Sequence, residues 1–402
     1  MSTNKEKVVL AFSGGLDTSY CVKYLSNEKG MDVHTAIVNT GGFTEKELEE
    51  VEMKAMSLGA ASHKTIRQVE TFYQQCVKYL IFGNVLKNNT YPLSVSAERV
   101  FQAVGIAEYA QEVGATHIAH GSTGAGNDQV RFDMIFHILC PHIQVITPIR
   151  DMKLSRQEEI DYLAKHGVEK EWAQAKYSIN QGLWGTSVGG EETLTSNLAL
   201  PEEAYPTQVT ETAVKQITLH FKEGELVQVN DQKDAPVKNI EYLNAIAAPY
   251  GIGRDIHVGD TIIGIKGRVG FEAAAPLITI KAHHALEKHT QTKWQQYWKE
   301  QLGNWYGMLV HEGQFLDPVM RNIEGFLTET QEKVSGKVFV TLAPYRFQVD
   351  GIESENDLMS GDFGKYGEEN LSWSGEDVKG FTKMLANQTK IYHAIHNKNN
   401  ND

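Results

Sequence analysis

The segment Val8–Tyr20 reads VVLAFSGGLDTSY. Its five leading apolar residues predict a short buried strand, Val8–Phe12, and the apolar spacing over Asp17–Leu25 predicts a helix directly after it. The Ser-Gly-Gly at positions 13–15 therefore lies in the turn between the strand and the helix. In a doubly wound parallel sheet that turn is a favoured ligand site, because glycine lets the backbone approach an anion and the helix N-terminus attracts negative charge. The segment predicts a phosphate-binding loop.

The residue types in this loop narrow the kind of phosphate chemistry. The loop has no lysine at the G-x-x-x-x-G-K-[ST] position and does not follow G-x-G-x-x-G, so a P-loop NTPase and a dinucleotide fold are both disfavoured. Ser13, Thr18 and Ser19 add hydroxyl donors, and Asp17 is expected to cap the helix. The alternative is a tight turn with an aspartate cap and no ligand.

Strands and helices alternate over the first 167 residues. The other predicted strands are Val33–Val38, Ser62–Ile66, Thr116–His120 and Gln144–Ile149, and the other predicted helices are Glu45–Gly59, Glu70–Phe82, Arg99–Gly114 and Ser155–Gly167. This alternation predicts an α/β fold with a doubly wound parallel sheet, covered by helices on both faces.

The rest of the chain has a different texture. Tyr177–Ser196 is rich in Gly, Ser and Thr and predicts an ordered loop, whereas Gln216–Asn230 predicts a β-hairpin and Val334–Val349 another strand pair. His283–Leu302 predicts one long helix, and Gly375–Ile395 predicts a terminal helix. We therefore expect three parts: a first domain over residues 1–167, an α+β domain over 168–365, and a helix with a disordered tail over 366–402.

Composition limits the possible partners. The formal net charge is −13, which argues against a nucleic-acid partner because such a surface needs clustered Lys and Arg. No stretch approaches the roughly 18 apolar residues of a membrane helix, and the N-terminus lacks signal-peptide features, so we expect a cytoplasmic protein without a membrane partner. Cys21, Cys76 and Cys140 have no metal-ligand spacing and predict reduced core thiols.

A second glycine-rich loop, HGSTGAGNDQVRF over His120–Phe132, follows the strand predicted at Thr116–His120. Its three glycines precede Asn127, Asp128 and Arg131. An amide, a carboxylate and a guanidinium on one turn suit an amino-acid ligand, which offers an ammonium group and carboxylates. The alternative is a polar loop with a surface Arg–Asp pair.

Both loops match patterns of a known family. S-G-G-x-D-[ST]-S, at residues 13–19, is the loop of the N-type ATP pyrophosphatases, and residues 120–132 closely resemble the argininosuccinate synthase loop H-G-[AS]-T-G-K-G-N-D-Q-V-R-F. The likeness continues through YSI at 177–179, LWGTS at 183–187 and IGIK at 263–266. The chain therefore resembles the argininosuccinate synthase family over most of its length, more weakly toward the C-terminus.

The resemblance implies a fold and a reaction. The fold is an ATP-binding domain of the adenine nucleotide α-hydrolase type, a synthetase and multimerisation domain and a C-terminal helical arm, assembled as a homotetramer. In the implied ligation the ureido oxygen of citrulline attacks the α-phosphorus of ATP and pyrophosphate leaves. The amine of aspartate then displaces AMP from the citrullyl-adenylate. ATP would carry Mg²⁺ with it, and neither a metal bound by protein ligands alone nor a covalent protein nucleophile is expected, so no catalytic residue is assigned.

The resemblance also implies binding residues at the matching positions. Those for ATP are Ala11, Phe12, Ser13, Gly14, Gly15, Leu16, Asp17, Thr18, Ser19, Val38 and Gly121. Those for aspartate are Thr123, Asn127 and Asp128, and those for citrulline are Tyr91, Ser96, Asn127, Arg131, Ser178, Ser187, Gly259 and Phe271.

Departures from the family pattern concentrate around citrulline. Residues 180–182 read Asn-Gln-Gly where the family usually has Asp-Glu-Asn, Gly259 replaces a Glu, Phe271 replaces a Tyr, and Ala125 replaces the lysine of the second loop. Fewer acids near the citrulline ammonium would suit an acylated, neutral amine. N-succinyl- or N-acetyl-citrulline is therefore an alternative substrate, and the competing explanation is drift, with Asp260 taking over the ammonium.

Other proteins with the first loop fit less well. Amidotransferase members carry a glutaminase with a cysteine nucleophile, and tRNA-thiolating members use paired cysteines and basic surfaces, neither of which this sequence has. A non-catalytic adenine-nucleotide sensor on the same fold is a further alternative. Such a sensor would not need the Asn127, Asp128 and Arg131 set.

Overall fold

The computed structural model describes residues 5–124, 126–168, 172, 176–361, 364, 365, 369, 370 and 372–398. It divides into two compact units, the first ending at Asn356 and the second beginning at Asp357. Ala125 and residues 399–402 of the predicted tail lie outside the described residues.

The first unit contains the parallel sheet that the sequence predicts. Its strands are β1 (Lys7–Ala11), β2 (Asp32–Asn39), β3 (Ser62–Arg67), β4 (His117–Ala119) and β5 (Gln144–Ile146), in the order β3-β2-β1-β4-β5. Val8 in the central strand faces Val33 on one side and His117 on the other. Residues 8–10 are fully buried, as expected of a strand whose sheet is covered on both faces.

The helices predicted around this sheet are present as α1 (Leu16–Asn27), α2 (Glu45–Ser57), α3 (Val69–Phe72), α4 (Lys78–Phe82), α5 (Ser94–Glu112) and α8 (Arg156–Lys165). Two further helices, α6 (Asp128–Leu139) and α7 (Pro148–Met152), are not predicted from the sequence. A π-helical turn, Tyr73–Val77, separates α3 from α4, and α5 begins at Ser94 rather than at Arg99. The capping box of Ser155 and Glu158 forms at the start of α8.

The expectation that Asp17 caps α1 is wrong. Helix α1 begins at Leu16, and Gly15 occupies the N-cap position in an extended conformation without a side-chain cap. Because Gly14 and Gly15 complete the turn, the helix begins at Leu16, one residue before the position that the apolar spacing predicts. Asp17 therefore lies in the first helical turn, where its charge still complements the helix dipole.

The rest of the first unit consists of two antiparallel sheets and further helices. The strands are β6 (Ser178–Gly182), β7 (Gly185–Gly189), β8 (Lys215–Lys222), β9 (Glu225–Val229), β10 (Gln232–Lys233), β11 (Arg254–Asp260), β12 (Lys266–Glu272), β13 (Gly336–Ala343) and β14 (Arg346–Glu353). The helices are α9 (Pro236–Ala247), α10 (Ala274–Thr290), α11 (Lys293–His311) and α12 (Pro318–Glu329). One sheet has the order β11-β12-β7-β6 and the other β10-β9-β8-β13-β14, which confirms the hairpin and the strand pair predicted in this region.

Two predictions of local structure in this region are wrong. Tyr177–Ser196 is not a loop, because it contains the paired strands β6 and β7. Its small Gly, Ser and Thr side chains give no apolar alternation, so the backbone pairing leaves no signal in the sequence. His283–Leu302 is not one helix either, because α10 ends at Thr290 and a capping box of Thr292 with Gln295 begins α11.

The second unit is small. It contains β15 (Gly364–Lys365), β16 (Glu369–Asn370), α13 (Gly375–Leu385) and α14 (Asn387–Lys398), so the predicted terminal helix is divided in two. Its exposed apolar side chains are Leu358, Met359, Trp373, Val378, Phe381, Met384, Leu385, Ile391, Tyr392 and Ile395. In the part of the chain that the structure describes, no helix combines the length and the apolar character needed to cross a bilayer.

Candidate active site

The first glycine loop joins β1 to α1 in four residues. Gly14 has a φ of +75°, a conformation that favours glycine, and it makes this turn tight. The Ser19 hydroxyl and backbone N–H both donate to the Gly15 carbonyl oxygen, at 2.6 and 3.0 Å. Because the first N–H groups of a helix have no partner within it, the loop presents the donors that an anion needs.

One side chain from another element reaches this loop. Lys54 on α2 donates from Nζ to the Gly14 carbonyl oxygen, and its Nζ lies 4.4 Å from the centre of the Trp172 ring. The loop sequence lacks a lysine, yet the folded loop has a cation next to it.

A cavity of about 570 Å³ opens where β1, β2 and β4 end. The residues predicted for ATP that line it are Ala11, Phe12, Ser13, Gly15, Leu16, Asp17, Thr18, Val38 and Gly121. Gly14 and Ser19 do not line it, since the Gly14 carbonyl is turned toward Lys54 and Ser19 is fully buried. The first loop and the start of the second therefore share one cavity.

Several lining residues were not assigned to a ligand from the sequence. They include Phe43, Glu47, Arg99, Gln102, His120, Asn180 and Gln181. His120 begins the second loop, so its position beside the glycines was a usable signal. Arg99 and Gln102 lie inside α5, where nothing in the local pattern marks them as facing a ligand.

Asp128 connects the cavity to two arginines. It lines the cavity at the start of α6 and accepts from Arg99 Nε at 2.9 Å and from Arg131 Nη1 at 3.0 Å. Burial alone would raise the pKa of the Asp128 carboxyl, but the two guanidinium groups hold that pKa below its usual range. Asp128 is therefore ionised and suited to bind an ammonium group.

Arg131 is buried and does not line the cavity. Its Nε and Nη2 donate to the His311 carbonyl oxygen at 3.0 and 2.8 Å. His311 is the last residue of α11, so this guanidinium satisfies a carbonyl at a helix C-terminus. The structure thus shows Arg131 joining α6 to α11, and its contact with citrulline stays a prediction.

Asn127 makes a similar long-range connection. Its Oδ1 accepts from the Ile262 backbone N–H at 2.8 Å, which ties the second loop to the turn between β11 and β12. Thr123 is exposed in the loop, and neither residue lines the cavity.

Three of the residues predicted for citrulline lie together. The Tyr91 and Phe271 ring centres are 5.4 Å apart, and Phe271 faces Ser187 across β12 and β7. Ser187 faces Asn180 on its other side, and Asn180 lines the cavity. This group therefore adjoins the nucleotide cavity through the strand pair β6–β7.

The other residues predicted for citrulline lie on separate elements. Ser96 is buried in the first turn of α5, Ser178 is exposed at the start of β6, and Gly259 faces Gly267 on β12. None of the three lines the cavity.

The departures at residues 180–182 have visible structural consequences. Arg99 Nη2 donates to Asn180 Oδ1 at 3.0 Å, so the amide oxygen serves as an acceptor where the family usually has an acid. A Cβ atom at Gly182 would overlap the carboxyl group of Glu98, which fills that space and accepts from Thr40 at 3.0 Å. Burial raises the pKa of Glu98 to about 8.

Comparisons with known proteins agree with this architecture. The family model described as "Arginosuccinate synthase N-terminal HUP domain" matches residues 7–169, and that described as "Arginosuccinate synthase C-terminal domain" matches residues 177–392. An argininosuccinate synthase of Methanocaldococcus jannaschii is 37% identical over 389 residues, covering 96% of this chain and 97% of the relative. That of Xanthomonas axonopodis pv. citri is 35% identical and covers 97% of this chain and 95% of the relative. That of Pyrococcus furiosus is 34% identical and covers 98% of this chain and 97% of the relative.

Proposed function

The chain belongs to the argininosuccinate synthase family, and from this premise we propose that it ligates citrulline to aspartate in arginine biosynthesis, with ATP converted to AMP and pyrophosphate. The observation that carries the proposal is the single cavity that joins the first glycine loop to Asp128. The cavity provides one site for an anion, at the first glycine loop, and one site for an ammonium group, at Asp128, so ATP and an amino acid could bind in it together.

In the first step the citrulline ureido oxygen forms a bond to the α-phosphorus as the bond to the bridging oxygen of pyrophosphate breaks. Residues 15–18 line the cavity at the N-terminus of α1. Donors at that position would stabilise the negative charge that develops on pyrophosphate. No covalent bond to the protein is needed, so catalysis would depend on positioning and charge stabilisation.

We propose that Mg²⁺ accompanies ATP rather than binding to the protein alone. Among the described residues, no group of three or more His, Cys, Asp or Glu side chains is arranged to hold a metal. Asp17 lines the cavity next to the first loop. One carboxylate with phosphate oxygens and water is a ligand set that Mg²⁺ accepts, and the bound ion would neutralise phosphate charge.

In the second step the aspartate amine attacks the carbon that bears the adenylate, and the carbon–oxygen bond to AMP breaks. The ionised Asp128 would hold the incoming ammonium group before it loses its proton. We propose Thr123 and Asn127 as the other aspartate ligands. The group formed by Tyr91, Ser187 and Phe271 would hold citrulline, since it adjoins the cavity through Asn180.

We propose free citrulline as the substrate. The relatives compared above are all named argininosuccinate synthase, and no finding supports either an acylated citrulline or a non-catalytic sensor. The carboxylate of Asp260 is already paired with Lys266 at 2.7 Å.

Pyrophosphate release tests the proposal. The purified chain is assayed with ATP, Mg²⁺, citrulline and aspartate, and with each component left out in turn. We expect release over many turnovers only when all of them are present, argininosuccinate by mass spectrometry, and transfer of ¹⁸O from [ureido-¹⁸O]citrulline to AMP. Without aspartate, release should stop once the citrullyl-adenylate has formed. Release over many turnovers without aspartate, ATP binding without turnover, or preference for N-acetyl- or N-succinyl-citrulline would each contradict it.

We also propose that the chain forms a homotetramer. Helix α11 exposes Trp294, Tyr297, Trp298 and Trp305, and in the second unit α13 and α14 expose their own apolar residues. Apolar surface of this kind is typical of subunit interfaces. Light scattering should give about four times 44.9 kDa, and a monomer at assay concentration would contradict the proposal.

We propose a cytoplasmic location for this enzyme. Its three cysteines are buried and free, which suits a reducing compartment where ATP is available. Fractionation of the native cells with antibody detection tests this, and recovery in a membrane or exported fraction would contradict it.

A further inference from the structure

A chain of polar side chains lies against the second glycine loop, outside the residues assigned to any substrate. It begins at His120, whose side chain is 2% exposed. The Ser122 backbone N–H donates to His120 Nδ1 at 3.2 Å, and His120 Nε2 donates to Asp133 Oδ1 at 2.8 Å. Because Nδ1 accepts, the hydrogen-bond pattern assigns the imidazole proton to Nε2.

Arg150, on α7, continues this chain. Its Nη1 donates to Asp133 Oδ2 at 2.6 Å and to Gln129 Oε1 at 3.3 Å. Gln129 Nε2 in turn donates to the carbonyl oxygens of Gly124 and Gly126, at 2.6 and 3.3 Å. The Arg150 guanidinium thus connects His120, at the start of the loop, through Asp133 to Gln129, which holds the end of the loop.

The loop needs such support because of its composition. Gly121, Gly124 and Gly126 give its backbone more freedom to lose on ordering than other residues would. Burial alone would raise the pKa of Asp133, but His120 and Arg150 hold that pKa below its usual range. The carboxylate is therefore ionised and can keep both partners in place.

We propose that Arg150 is a positioning residue for aspartate binding, which acts through Asp133 and His120 on one side of the second loop and through Gln129 on the other. The inference rests on the proposed function, because it assigns aspartate to Thr123, Asn127 and Asp128 of the loop that this network holds. Neither nitrogen of His120 is free to take a proton from substrate, since one accepts from the loop and the other donates to Asp133. The network orients the loop and does not take part in proton transfer.

Steady-state kinetics of Arg150→Met, Arg150→Lys and Asp133→Asn test this inference. Misplacement of a reacting group by about 1 Å can lower the rate by ~10²-fold, so we expect kcat/KM for aspartate to fall at least ~10-fold in Arg150→Met, through a raised KM for aspartate. The KM for citrulline should not change, and Arg150→Lys should recover part of the loss because it restores a cation to Asp133. Asp133→Asn should resemble Arg150→Met, since it removes the charge that holds both partners.

Lys64→Gln is the matched control, since it removes one positive charge from an exposed ion pair with Glu112 in the same sheet. Its kinetic constants should equal those of the unaltered chain. A merely structural Arg150 would lower the melting temperature and the active fraction while the KM for aspartate stayed constant, and that result would overturn the inference. Failure of the proposed function is distinguishable, because the unaltered chain would then show no release dependent on citrulline and aspartate.

Discussion

The two glycine loops lie at the same edge of the parallel sheet, yet they are held in different ways. In the first loop, the hydrogen bonds of Ser13, Thr18 and Ser19 stay within residues 13–19, and Lys54 is an added contact from α2. The side chains of the second loop reach backbone atoms far along the chain. Asn127 reaches Ile262, and Arg131 reaches His311.

This difference matches what each loop would bind. A phosphate group needs several N–H donors at a helix N-terminus, and a short strand–turn–helix segment supplies them alone. An amino acid needs an acid, an amide and a cation in a fixed arrangement, which rigid neighbouring elements must hold. We therefore expect substitutions in the first loop to act locally on ATP, and substitutions around the second loop to act through the rest of the first unit.

The largest effect is expected from Gly14→Ala. At a φ of +75° alanine is strained, and relief of the strain would turn the loop N–H groups away from phosphate. Loss of such donors lowers turnover by about 10²–10³-fold, which pyrophosphate release would measure. Gly30→Ala is the matched control, because Gly30 also has a positive φ, of +63°, with no atom within 4 Å of an added Cβ. It should show similar destabilisation with full activity, and equal inactivation of both would contradict the prediction.

Asp128→Asn comes next in size. The substitution removes the acceptor charge and leaves Arg99 and Arg131 facing an amide. A lost charged hydrogen bond is worth about 1.5–3 kcal/mol, so the KM for aspartate should rise about 10–100-fold while the KM for ATP changes little. Glu112→Gln is the control for removal of an exposed acid. A larger change in the KM for ATP than in that for aspartate would assign Asp128 to the nucleotide instead.

The same contrast explains what the sequence could predict. The parallel sheet and the first loop can be predicted from local signals. A strand such as Val33–Val38, the helices on either side of it, and the tight turn at residues 13–15 each depend on a few neighbouring residues. The residues predicted for ATP come from the family resemblance rather than from local spacing, and most of them line the cavity.

The supports of the second loop could not be predicted in this way. The partner of Arg131 is a backbone carbonyl 180 residues away, at His311, and any residue type could supply that oxygen. Strands β6 and β7 escaped prediction because their Gly, Ser and Thr side chains show no apolar alternation, although their backbones pair regularly. Long-range backbone partners leave no pattern in a single sequence.

Arg131→Lys should lower the stability of the fold and leave the KM for ATP unchanged. Lysine cannot make both hydrogen bonds to the His311 carbonyl oxygen, and loss of a charged hydrogen bond at a buried site costs about 2 kcal/mol. We expect a lower melting temperature and an unchanged KM for ATP. Arg346→Lys, at an exposed position on β14, is the control. An unchanged melting temperature with a raised KM for citrulline would favour direct citrulline binding by Arg131 over its link to α11.

The smallest effect on turnover is expected from Glu98→Gln, where the Glu98 side chain on α5 packs against Gly182 of the β6–β7 hairpin beside Thr40. Burial raises the pKa of Glu98 to about 8 in the folded chain, from an ordinary value of 4.5. The folded state therefore keeps a proton that the unfolded state loses, and stability falls as the pH rises from 4.5 to 8.

Glutamine has the shape of the protonated acid, so Glu98→Gln should match the unaltered chain near pH 4.5 and exceed its free energy of unfolding near pH 8 by on the order of 4 kcal/mol. Urea unfolding across this pH range measures the difference, and Glu112→Gln, an exposed acid, should not change the slope. Turnover should not change, because Glu98 does not line the cavity. If the stability of the Gln variant changed with pH as that of the unaltered chain does, Glu98 would be ionised in the folded state. The space beside Gly182 would then hold a carboxylate rather than a neutral carboxyl group.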